Sequence, residues 1–183
     1  MTATDIKIAS NALLLLGHEP ISSFEEPTAG AQVASNLYES TYDSMLTTYR
    51  WRFASKKVKA ARLAGTPLND FSYKYQIPSD CLYLIKTSAP DYEIFEDKIF
   101  CNDTTLDIEY TYKVSSDGLP AYYVKALEFF LASQFAIPIT GDINKANLFD
   151  QAYAKQSRMA RHADATQRPS DAIAYSPYTD VRD

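Results

Sequence analysis

"TTYRWRFASKKVKAAR", residues 47–62, is where the hydrophobic period of this chain changes. Before it, apolar residues recur at helical spacing; after it, they alternate with a period of two. The stretch holds the only tryptophan and six basic side chains, Arg50, Arg52, Lys56, Lys57, Lys59 and Arg62, without one carboxylate. The whole 183-residue chain has a formal net charge of −5, and outside this stretch 12 basic residues face 23 acidic ones. A concentrated cationic patch therefore sits in an otherwise acidic protein. If the segment is extended, Trp51 and Phe53 point to one side and Arg50 and Arg52 to the other. The rings then anchor the junction of helix and sheet, and the guanidinium groups are left to recognise something.

Upstream, two helices are expected. Thr4 can cap one starting at Asp5, with Ile6, Ala9, Leu13 and Leu16 on its face until Gly17. Leu14 and Leu15 widen that face, which predicts a largely buried helix. The loop "HEPISSFEEP" (18–27) follows, and Thr28 opens a second helix running to about Arg50, with Ala34, Leu37, Tyr38, Met45 and Tyr49 on one side.

Downstream, "FSYKYQIP", "CLYLIKT", "YEIF", "KIFC" and "LDIEYTYKV" are short aromatic or β-branched runs separated by turn formers. Residues 51–114 thus read as a small antiparallel β region. Helical spacing returns after Pro120, with Tyr123, Leu127, Phe130 and Leu131 sharing a face until Pro138. A four-residue "PITG" link leads to Asp142, which caps a last helix with the stripe Phe149, Ala152, Tyr153, Gln156, Met159, Ala160 and Ala163. The fold class expected is α+β. Residues 1–50 and 115–166 form a four-helix bundle, 51–114 a small antiparallel β insertion between helices 2 and 3, and 167–183 an extended C-terminal tail.

Composition and motifs exclude more than they propose. Cys81 and Cys101 have neither metal-type nor redox spacing, and the beginning of the sequence lacks a secretory layout, so synthesis in a reducing cytoplasm is expected. The apolar runs are too short or too interrupted for a membrane span. Nucleotide-binding glycine loops, nucleophile elbows and zinc-protease motifs are missing, which argues against an enzyme and against a cofactor. "DINKAN" (142–147) echoes a calcium loop, but its sixth position is Asn147 rather than Gly and its twelfth is Tyr153 rather than Glu. Asp107 and Glu109 share a strand face, which reads as a solvated one. Tyr73, Tyr75, Tyr83, Tyr92, Tyr110 and Tyr112 leave open a carbohydrate-binding platform, although half-buried strands favour tyrosine in any case.

Six blocks stand in a fixed order: "NALLLLGHEPISSF", "YRWRFA", "YKYQIPSDCLYL", "LDIEYTY", "ALEFFLASQFAIPITGD" and "YAKQSRMARHADA". In these blocks the chain resembles the tail tubular protein A family, the head-to-tail adaptors of short-tailed bacteriophages. The resemblance spans nearly everything before the tail. It implies a non-enzymatic virion protein, synthesised and assembled in the host cytoplasm, that forms a dodecameric ring under the portal. It also implies a platform for the tail nozzle and a channel through which DNA passes without specific binding. It implies no catalytic residues.

A cyclic ring needs two different complementary surfaces on each subunit, which suits an acidic chain with one basic patch. Arg50, Arg52, Lys56 and Lys57 are the candidate subunit or portal contacts. A merely solvated face and DNA phosphates are the alternatives, and the latter would make the chain a nucleic-acid-binding module. The second candidate is the tail, where Ile173, Tyr175, Tyr178 and Val181 are spaced by prolines in a segment unable to build a core. These four are the expected portal-docking residues.

Overall fold

The computed structural model describes residues 2–68 and 70–167. Four helices, α1 (Ala3–Leu15), α2 (Ala29–Thr47), α3 (Ala121–Thr140) and α4 (Ile143–Ala165), accompany seven strands that lie between α2 and α3 in the chain. The class is α+β.

The helix ends show which local signals matter. Thr2, not Thr4, caps α1: its hydroxyl accepts from the Asp5 amide at 3.2 Å while Asp5 accepts from the Thr2 amide at 2.6 Å. This reciprocal box needs a Thr-x-x-Asp spacing, which Thr2 and Asp5 have. Thr4 donates instead to Asp117. Thr28 and Asp142 cap α2 and α4 as expected, but α2 stops at Thr47. Helix α3 passes through Pro138 and ends only at Gly141, whose φ of 65° supplies the left-handed stop. A proline so near a helix end removes a single backbone bond, whereas left-handed glycine terminates the ladder outright. The connection to α4 is therefore shorter than "PITG".

Helix α3 packs against α1, α2 and α4, and its apolar surface extends around most of its circumference. Tyr123, Leu127, Leu131 and Phe135 are fully buried there, among Leu13 and Ile8 of α1 and Met45 and Leu46 of α2. On α1 the expected Ala9, Leu13 and Leu16 are buried, Ile8 and Ala12 join them, and Leu14 is exposed instead of widening the face. On α4, Met159 also points outward and Ser157 and Asp164 are buried in the stripe.

The β region is two antiparallel sheets. Strands β1 (Ser55–Lys59), β7 (Asp107–Tyr112) and β4 (Cys81–Thr87) form a three-stranded sheet with β7 central. Strands β2 (Ala61–Arg62), β3 (Tyr73–Gln76), β6 (Lys98–Cys101) and β5 (Tyr92–Phe95) form a four-stranded one in that order. The chain changes sheets at Ala60, whose amide donates to the Leu106 carbonyl at 2.7 Å. Tyr75, Ile99, Cys101, Leu106, Ile108 and Tyr110 make a second, smaller core between them.

Candidate functional site

The cationic segment begins with a fixed aromatic hub. Trp51 is fully buried, donates its indole N–H to the Met45 carbonyl at 3.1 Å, and meets Tyr49 and Tyr123 edge-on at 5.0 and 5.1 Å. The expected anchoring by Trp51 and Phe53 is present, but the backbone is not extended: Arg52–Ala54 is one turn of 3-10 helix. Its cause lies far along the sequence. The buried carboxylate of Asp164 accepts from the Arg52 amide at 3.0 Å and from the Tyr122 hydroxyl at 2.9 Å, clamping the segment to α4. Burial, and then the bond to Asp164, push the Tyr122 phenol up to about 12.

Three of the four candidate cations meet carboxylates of their own chain. Arg50, with 56% of its side chain exposed, bonds Glu109, whose side chain is only 9% exposed. Lys57 stands 3.6 Å from the other oxygen of Glu109. Lys86 of β4 lies opposite Glu109 in register, and Lys59 lies opposite Asp107. Glu109 is thus no solvated strand carboxylate but a buried one on the central strand, with lysines on both neighbouring strands. Such cross-strand pairs of opposite charge stabilise a sheet modestly and fix where the cations stand. Lys56 donates to Asp80 at 2.8 Å and sits 3.8 Å from the Tyr112 ring centre. That bond holds the Asp80 carboxyl below its usual range. Arg52 is exposed and has no ion pair among the described residues.

The six tyrosines of the β region do not form one exposed row. Tyr75 and Tyr110 are buried, Tyr73 and Tyr112 are half-buried, and the exposed pair, Tyr83 and Tyr92, belongs to different sheets. The "DINKAN" stretch is the start of α4, where Asp142 is engaged as its cap, accepting from the Asn144 amide at 2.8 Å. No helix among the described residues is long and apolar enough to cross a membrane. Ile173, Tyr175, Tyr178 and Val181 lie outside the described residues.

A second surface was not singled out by sequence reasoning. Residues 91–97, the β5 strand and its turn into β6, are all exposed, Phe95 by 68%. An open groove of about 700 Å³ runs beside them, walled by Pro67, Leu68, Ile94, Phe95 and Phe100 and edged by Lys74 and Glu93. The run "DYEIFED" carried the signal: apolar and acidic residues alternate in a strand too short to be covered on both faces. Separately, Ile137, Ile143, Leu148 and Met159 are exposed on the α3–α4 hairpin. No protein-family model matches the chain, and no curated protein matches it either.

Proposed function

We propose that this chain is a structural virion protein, a head-to-tail adaptor that forms a ring between portal and tail nozzle and continues the DNA channel. The observation that carries this reading is the pair of unlike surfaces left uncovered on separate elements: the acidic, apolar β5 region and the cationic strip of β1 and β4. A closed ring is built from heterologous contacts, so each subunit must present two different patches. Apolar patches that remain open after folding mark association sites. The six sequence blocks resembling the tail tubular protein A family supply the ring's place in the virion and its dodecameric number. In the finer reading of the fold, the four helices are one bundle and residues 51–114 its insertion. The protein performs no catalysis and needs no cofactor.

DNA passes through the ring without specific binding. Residues 167–183 serve as the portal-docking arm. Many such arms on one ring gain by effective concentration.

The test is to mix the purified chain with portal rings and image the product. A ring coaxial with the portal supports the reading; no ring, or salt-sensitive binding to duplex DNA instead, overturns it. Truncation after Thr166 should leave the melting temperature nearly unchanged and abolish portal binding. If the truncated chain still sediments with portal rings, the arm is not the joint.

A further inference from the structure

We infer that the β5–β6 hairpin of one copy docks on the cationic strip of the next, and that this is the contact closing the ring. The inference rests on the ring reading above and names its interface.

The hairpin has the composition of an inserted element. Asp91, Glu93, Glu96 and Asp97 set four carboxylates against one lysine, Lys98, around the exposed Ile94 and Phe95. Lys98 is engaged with Glu96 and Asp97, whereas Glu93 has no ion pair among the described residues. Strand β5 is an edge, paired among the described residues only to β6. Exposed edges invite pairing with another chain unless something covers them.

The tip carries a second, independent sign. Glu96 has φ of +58°, the only positive value on a non-glycine among the described residues, and the following Asp97 does not share it. Phe95 and Lys98 pair across the turn. A two-residue hairpin turn of this kind takes glycine by default at its first central position. A glutamate held there keeps a carboxylate at the point of the hairpin against backbone preference. Backbone strain of this sort collects at sites of recognition.

The receiving strip is complementary in charge and shape of exposure. Lys57 and Lys59 alternate on β1, Lys86 stands across β7 from them, and Arg52 precedes β1 without an ionic partner among the described residues. Exposed Tyr83, on the same strand as Lys86, offers an apolar contact for Phe95. The buried Glu109 fixes Arg50 and Lys57 before any partner arrives, so less side-chain freedom is lost on docking. A second copy of this chain is the occupant because the chain itself carries both halves of the match. In a heterologous contact both are used once per subunit.

The experiment uses the full chain with two charge reversals. The hairpin variant is Glu93→Lys with Glu96→Lys; the strip variant is Arg52→Glu with Lys59→Glu, which spares Arg50 and its buried partner. Circular dichroism and melting first confirm that both fold as wild type. Each variant alone should fail to form rings on portal, read by sedimentation and imaging. Mixed in equal amounts they should recover ring formation, because a lysine-tipped hairpin meets an acidic strip at one junction and the wild-type pairing holds at the next. Alternating subunits close any even-numbered ring. If the hairpin variant alone assembles as wild type does, or if the mixture fails to recover, the inference is overturned while the ring reading stands. If wild type forms no ring on portal, the ring reading itself falls.

Discussion

Trp51, Tyr123 and Phe135 have no exposed surface at the centre of the helices, whereas Leu68, Ile94 and Phe95 lie open beside the four-stranded sheet. Both regions are aromatic-rich, yet one buries its rings and the other displays them. The helices bury these rings because α3 is surrounded by three partners, although Ile137, Ile143, Leu148 and Met159 stay exposed on the α3–α4 hairpin. Among the described residues the four-stranded sheet packs on its sister sheet, and β5 stays exposed at its edge, paired to β6 alone. In the ring proposed above, the apolar surface left open at β5 is the one that meets a neighbouring subunit.

The largest way to break this contrast is to truncate a ring on each side. Trp51→Ala removes a side chain touching Tyr49, Phe53 and Tyr123 and should cost about 3–5 kcal/mol, as large buried aromatics do. Phe95→Ala should cost less than about 0.5 kcal/mol, since it leaves no cavity. Denaturant midpoints measure both. Comparable losses would show that β5 is structural after all.

A smaller effect belongs to the clamp between the regions. Asp164→Ala leaves the Arg52 amide and the Tyr122 hydroxyl without their acceptor and should destabilise by about 1–3 kcal/mol. It should also change the alkaline response. In the folded chain the Tyr122 phenol keeps its proton to about 12 against an ordinary 10, so its contribution is complete below pH 10 and is lost as pH rises through 12. Without Asp164 the upward shift shrinks, and the decline in stability over this window becomes shallower. Unfolding midpoints of both proteins from pH 9 to 12 test this; parallel curves would remove Asp164 as a cause.

Asp164 also shows where sequence reading fails. The residues of helices and strands were legible because period and turn formers act locally: β4, β5 and β6 match "CLYLIKT", "YEIF" and "KIFC" residue for residue. The 3-10 turn at Arg52 was not, because its acceptor is 112 residues away. A hint existed, since a carboxylate in the last turn of α4 opposes the helix dipole and must have another reason to be there. Alternation made Glu109 look solvated; the lysines of β1 and β4 that cover it become neighbours only through pairing. The anchoring by Trp51 was expected from alternation in an extended segment, and it holds although Arg52–Ala54 is a 3-10 turn. The uncovered β5 face was not, because exposure is decided by what fails to pack.

The smallest expected effect has the opposite sign. Glu96→Gly should stabilise the monomer slightly and weaken assembly. A non-glycine residue in the left-handed region costs about 1–2 kcal/mol, and glycine recovers this at no steric cost. Against that, glycine gives the unfolded chain more freedom, offsetting about 0.5–1 kcal/mol. The exposed pair with Lys98 is also lost, a minor contribution at the surface. The balance is a gain of about 0.5 kcal/mol, which in a chain of this length raises the melting temperature by roughly 1–2 °C. A stabilising change on one side of the molecule that diminishes ring formation would separate folding from recognition more sharply than any truncation. If Glu96→Gly melts higher and assembles as well as wild type, the tip carboxylate is dispensable. If it melts lower, the turn is held by contacts of the Glu96 side chain within the monomer, and the strained tip is no guide to a partner.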